Sequence, residues 1–209
     1  MIALLILLFA VSLIFFSITE RFRTYATLVG VQGVLLFGIS FSLLKEIHTF
    51  NLIFIVVETL VFKAIVIPLL LHRIIKRTKT ARVHKGAMPA FYAILLVIAA
   101  MLVSIILTSV LQDSTVDNFF LAISIFAMLT GMILITTHKR IFSHMVGFLV
   151  VENAVFLFSI AAGSEMPMLI NTAIMLDIFM SVLILGVFMT KIEDRMHSLE
   201  TNMLTKLKD

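Results

Sequence analysis

Seven long apolar runs occupy most of this 209-residue sequence, and they constrain the fold more than any other feature. They cover residues 1–18, 24–44, 51–75, 87–111, 118–138, 141–163 and 170–192. Each is about long enough to cross a hydrocarbon core of roughly 30 Å as a helix. Backbone N–H and C=O groups cannot stay unsatisfied in lipid, so only helices and closed barrels span it. The runs are continuous and lack the alternation of a membrane barrel strand. The expected class is therefore all-α, a polytopic membrane protein with seven transmembrane helices. Only 13% of the residues are charged, and mean hydropathy is +1.17. A soluble domain carries about a quarter charged residues.

The basic residues give an orientation. If all seven runs cross, Arg21, Arg23, Arg73, Lys76, Arg77, Lys79, Arg82, Lys85, Lys139, Arg140, Lys191, Arg195, Lys206 and Lys208 share one side. Lys45 stands alone on the other side, and Lys63 lies inside a run. By the positive-inside rule the N-terminus is outside, while loop 76–86 and the C-terminus are cytoplasmic. The N-terminus lacks a basic n-region and a small-residue cleavage site, so it reads as a retained first span. The loop HRIIKRTKTARVHKG (72–86) reads first as a topology determinant and second as a dock for a partner or anionic lipid headgroups. It has no aromatic residue for base stacking, which argues against nucleic acid.

Spans 1–3 and 5–7 run the same way across the membrane, and their polar residues correspond at an offset of about 120. Gln32 in VQGVLLFGIS matches Glu152 in VENAVFLFSI, and Glu58 in VETLVF matches Asp177 in LDIFMS. Parallel repeats of this kind occur in transporter-like proteins. The expected organisation is a three-helix unit over 1–75, a basic loop and connector helix over 76–117, a second three-helix unit over 118–192 and a tail over 193–209.

Ionisable residues are costly at membrane depth and commonly mark ion or proton traffic. Here they are Glu58, Lys63, Glu152 and Asp177. Counting about 1.5 Å per residue puts Glu152 roughly 16 Å from one surface and Asp177 about 11 Å from the other. Glu58 and Gln32 fall in the same slab, and Lys63 falls about 7–8 Å nearer the cytoplasm. A proton carrier must exist in both protonation states. Low dielectric disfavours the charged form of carboxylates and amines alike, so small changes in hydration can load or unload either. The competing reading is structural, with Lys63 pairing with Glu58 or Asp177 to fix helix packing. Glu58 and Lys63 are five apart, about 140° around an α-helix, so Lys63 is expected to reach a neighbouring helix or subunit. His144, two turns toward the cytoplasm from Glu152, is either a link to that side or a solvated interfacial histidine. Pro68 should kink span 3 and free a carbonyl near Ala64.

No P-loop, HExxH, GxSxG or GxGxxG is present, and there is no cysteine. No cofactor, metal site or independent catalysis is expected.

The stretch IFSHMVGFLVVENAVFLFSIA, followed by INTAIMLDIFMSVLILGVFMTKI, resembles spans two and three of the three-helix NuoK-type subunit of complex I and of its MrpC-type counterpart in Mrp antiporters. In that family each of these helices carries a mid-membrane carboxylate. Glu152 and Asp177 stand at the matching positions. The chain as a whole resembles hydrogenase-4 component E, through FKAIVIPLLL in span 3, the ENA and LDIFMSVLI segments and the closing NMLTKLKD. The resemblance implies a non-catalytic cytoplasmic-membrane subunit of a group 4 [NiFe]-hydrogenase or formate hydrogenlyase-type complex. Its partners would be antiporter-like membrane subunits, peripheral redox subunits and lipid. Glu152, Asp177 and Lys63 would then belong to a lateral proton path. Two further readings are a component of an Mrp-type cation/proton antiporter and a structural scaffold.

Overall fold

A backbone that runs through apolar surroundings satisfies its own polar groups most simply as helix, and every regular element here is helical. The computed structural model describes residues 1–19, 21–43, 53, 56–77, 90–111, 116–138 and 141–162. Helix α1 covers Ile2–Ile18 and α2 covers Phe22–Leu43. A π-helix over Val56–Val66 runs directly into α3, Ile67–Arg77. Then come α4 (Ala90–Leu111), α5 (Asn118–Thr137) and α6 (Ile141–Ala161).

Among the described residues four stretches are long and apolar enough to cross a membrane: Phe22–Leu43, Phe91–Leu111, Asn118–Thr137 and Phe142–Ala161. Ile2–Ile18 is apolar but shorter. This length and composition point to a membrane protein. Helices thus occupy six of the seven predicted runs. The seventh, 170–192, lies outside the described residues, as do most of the basic loop and the whole tail.

The third run departs from a uniform α-helix. Pro68 is the second residue of α3 and has no N–H to give to the turn before it. The segment before it is wound as a π-helix. The helix type therefore changes just before Pro68. This matters for the spacing of Glu58 and Lys63. The 140° separation assumes α-geometry, whereas in a π-helix residues five apart are linked by one hydrogen-bonded turn. Backbone positions 58 and 63 accordingly lie one π-turn apart. The Glu58 side chain lies outside the described residues.

Helix α2 is the centre of the bundle, packing on α1, the π-helix, α3 and α6. Its buried side includes Tyr25, Val29, Gln32 and Leu36. From α1 come Phe9, Leu13 and Phe16, and from α6 come Met145 and Leu149. Helix α4 sits at the edge against α5 and α1. It buries Val97, Ala100, Ser104 and Thr108, one stripe at helical spacing. Most of its remaining surface is exposed and apolar, as a lipid-facing helix requires.

Helices α5 and α6 form an antiparallel hairpin. Asp117 caps α5 by accepting from the Phe119 and Phe120 amides, and its own N–H donates to Ala161 O at the far end of α6 (3.0 Å). Midway the two backbones nearly touch. A Cβ on Gly131 would lie 2.9 Å from Gly147 O, and one on Gly147 would lie 2.9 Å from Gly131 O. Small residues at such crossings let membrane helices pack through backbone contact.

Packing also places the basic residues. Rings of Phe22 and Phe142 meet edge-to-face at 4.9 Å, so α2 and α6 start at the same end of the bundle. Gly30 lies against Pro68, and Gly33 against Lys63 and Ala64, so α3 finishes at that end too. Arg21, Arg23, Arg73 and Lys76 therefore share one face, as the sequence count requires.

Candidate functional site

A buried polar layer crosses the bundle where α1, α2, α6 and the π-helix converge. It begins on α1, where Ser12 Oγ donates to Phe9 O (2.6 Å). Gln32 Nε2, from α2, donates to Ser12 Oγ (3.0 Å). Asn153 Nδ2, from α6, donates to Gln32 Oε1 (3.0 Å). Its neighbour Glu152 places Oε1 2.6 Å from Lys63 Nζ, on the π-helix. The ammonium also lies 4.6 Å from the centre of the Phe156 ring, one turn along α6 from Glu152. Such a contact is a cation–π interaction. Gln32 is fully enclosed, and Lys63 and Glu152 are only 2% and 7% exposed, so this pair interacts with little screening by water.

The sequence reasoning singles out Gln32, Lys63 and Glu152, and the structure brings all three together. The depth count puts Lys63 about 7–8 Å to the cytoplasmic side of Glu58, and its ammonium reaches the Glu152 carboxylate. Gly33, the residue after Gln32, lies against the Lys63–Ala64 peptide, where a Cβ would fall 2.7 Å from both Lys63 C and Ala64 N. The structural reading names Glu58 or Asp177 as the partner of Lys63; among the described residues Lys63 pairs with Glu152, a partner that reading does not name, while the Glu58 side chain and Asp177 lie outside them. That Lys63 reaches a neighbouring helix is as expected.

His144 is half-buried and does something local. Its Nε2 donates to His138 O (2.6 Å), which closes the α5–α6 turn. His138 is a residue the sequence reasoning misses. Its Nδ1 donates to Leu134 O (3.1 Å), which leaves Nε2 to accept from the buried Tyr25 hydroxyl at 3.4 Å. Tyr25 stacks on Phe16, so this contact ties α1, α2 and α5 together at the basic end.

Ser12, Gly33 and Phe156 are also missed from sequence. Ser12 and Gly33 carry a faint signal: one of two serines in an apolar run, and a glycine beside a buried amide. Phe156 carries none, since one of nineteen phenylalanines is indistinguishable from packing.

The geometry of the ion pair bears on its chemistry. The 2.6 Å contact is off the angles of a hydrogen bond, and Lys63 Nζ has no hydrogen-bond acceptor among the described residues. The pair sits beside the Phe156 ring face. Among the described residues no cluster of His, Asp or Glu could hold a metal ion. What the layer offers is a carboxylate paired with an ammonium and, starting at the next residue of α6, two amides and a hydroxyl in a hydrogen-bonded series. No protein-family model, curated protein or solved structure matches this chain.

Proposed function

We propose that this chain is a non-catalytic membrane subunit of a complex I-like group 4 [NiFe]-hydrogenase or formate hydrogenlyase-type complex. In this reading it crosses the cytoplasmic membrane seven times, with its N-terminus outside and its basic face cytoplasmic. Lys63, Glu152 and Asp177 belong to a proton path near the bilayer midplane. The observation that carries the reading is the Lys63–Glu152 pair, an ammonium and a carboxylate in contact and almost fully buried inside the bundle. A buried ion pair is a poor way to gain stability, because desolvation offsets most of its Coulomb energy. Membrane-embedded ionisable residues are otherwise a mark of transport. Beside the pair, Asn153 and Gln32 carry further hydrogen-bonding groups from α6 to α2 and Ser12 of α1, the direction a lateral path needs. The clustering of basic residues at one end supports the orientation.

The test uses Glu152→Gln and Asp177→Asn in the assembled complex, in sealed inverted vesicles. Assembly is read by native gel and proton uptake by a pH-sensitive dye. The expected result is an intact complex whose proton uptake falls at least about tenfold, as for loss of a group that must change protonation. Undiminished uptake by the double variant removes the proton-path reading and leaves a scaffold. The MrpC-type resemblance favours one other assembly, a cation/proton antiporter without redox subunits. Co-purification of a nickel–iron subunit and iron–sulfur proteins separates the two.

A further inference from the structure

On the outer side of α2, away from the polar layer, a slot runs between α2 and the π-helix/α3 segment. Its volume is about 540 Å³, and its lining is almost entirely apolar. Gly30, Ala64 and Pro68 line its inner part, and the exposed Val34 and Leu69 form its rims. A Cβ on Gly30 would lie 3.0 Å from Pro68 Cγ, so α2 and α3 touch at the floor and diverge outward.

The slot has a polar end. Thr27 and His72 line it there, on α2 and α3 respectively. One turn beyond Thr27 on the same face is the exposed Arg23, and one turn beyond His72 is the exposed Lys76. Arg73, also exposed, lies one turn beyond Leu69. Among the described residues no carboxylate pairs with any of these three cations. His72 Nδ1 donates to Pro68 O (2.8 Å), which fixes the ring and leaves its Nε2 edge for another partner. An apolar slot therefore ends in three cations, unpaired among the described residues, and an oriented imidazole.

We propose that this slot is a binding site for an anionic phospholipid, with one acyl chain between α2 and α3 and the phosphate among Arg23, Arg73, Lys76 and His72. Basic pockets between membrane helices are suited to such headgroups. The charge pattern favours lipid over a neighbouring helix. A helix seated here would have to bring carboxylates of its own to the basic end, whereas a phospholipid carries anion and hydrocarbon in one molecule. The slot opens between two adjacent helices that touch at its floor. The site does not depend on proton transfer and does not use the polar layer.

The chain contains no tryptophan, so one placed in the slot is an unambiguous reporter. Val34→Trp is a suitable position, since Val34 lines the slot and is 52% exposed. The full-length protein is reconstituted in phosphatidylcholine vesicles with increasing dibrominated phosphatidylglycerol, or with dibrominated phosphatidylcholine. Quenching by the anionic lipid should be half-maximal at a mole fraction at least about fivefold lower, a factor that a single basic residue near the surface can supply. The combined R23Q/R73Q/K76Q variant should abolish the difference. A reporter on the exposed face of α4, Ile106→Trp, should show no preference. Equal quenching of Val34→Trp by both lipids overturns the proposal, because the slot then meets only bulk bilayer. Quenching by neither overturns it as well, because a second protein segment then covers the slot. Val31→Trp, on the same lining, serves if Val34→Trp fails to reconstitute.

Discussion

Gly33 lies so close to the Lys63–Ala64 peptide that an added Cβ would sit 2.7 Å from Lys63 C. That contact fixes where the π-helix stands against α2, and so how far Lys63 must reach to meet Glu152 on α6. Because the atoms met are backbone, no rotamer change can make room. Gly33→Ala should therefore push the π-helix outward and cost about 1–3 kcal/mol, the usual range for overpacking. Gly38→Ala is the contrast, since its Cβ would meet only the Leu5 side chain, at 3.1 Å. That substitution should change stability by less than about 1 kcal/mol. Unfolding in mixed micelles measures both.

Truncating either member of the ion pair should be far worse than removing both. Glu152→Leu or Lys63→Met leaves a lone buried charge, at a cost of roughly 3–5 kcal/mol. The double variant Lys63→Met/Glu152→Leu should recover most of that loss, because apolar replacements of a buried pair are often neutral. A double-mutant cycle on unfolding free energy reads the coupling. Additive single effects would mean that the two charges do not sense each other.

Gln32 is held at both ends of its amide, by Ser12 and by Asn153. Gln32→Leu strands the Asn153 amide in the interior, which should cost about 1–3 kcal/mol. Adding Asn153→Leu should restore part of it, since the stranded donor is then gone. The same unfolding assay, run on single and double variants, checks the order.

The α5–α6 hairpin should depend on its glycine crossing. Gly131→Val places branched carbon against Gly147 O and the Val151 side chain, and overpacking of that kind typically costs about 1–3 kcal/mol or somewhat more. Asp117→Ala, at the open end of the hairpin, removes the side-chain cap and should cost about 0.5–2 kcal/mol. Asp117→Asn should retain most of the cap. Limited proteolysis of the variants, alongside unfolding, locates the loosened segment.

Much of this architecture is legible in one dimension because the bilayer imposes a one-dimensional rule. A run of some twenty apolar residues has few options besides helix, and a buried charge stands out against such a background. Glu152, Lys63 and Gln32 are visible for that reason. Their chemistry alone marks them, whatever surrounds them. The shared face of Arg21, Arg23, Arg73 and Lys76 is visible too, because antiparallel neighbours return charges to the same side.

Partner choice lies beyond that rule. Whether Lys63 meets Glu58, Asp177 or Glu152 depends on rotation and height, which a π-helix alters and an apolar run does not encode. The π-helix is itself a tertiary outcome. Pro68 removes one α-helical donor, and Gly33 lets α2 approach the Lys63–Ala64 peptide closely. Ser12, Asn153 and Phe156 become parts of the site only through contact. Composition and hydropathy thus settle the helical class and the candidate charges, since both follow from solvation of single residues. Pairing is settled by close packing between helices, where a few tenths of an ångström select one neighbour over another.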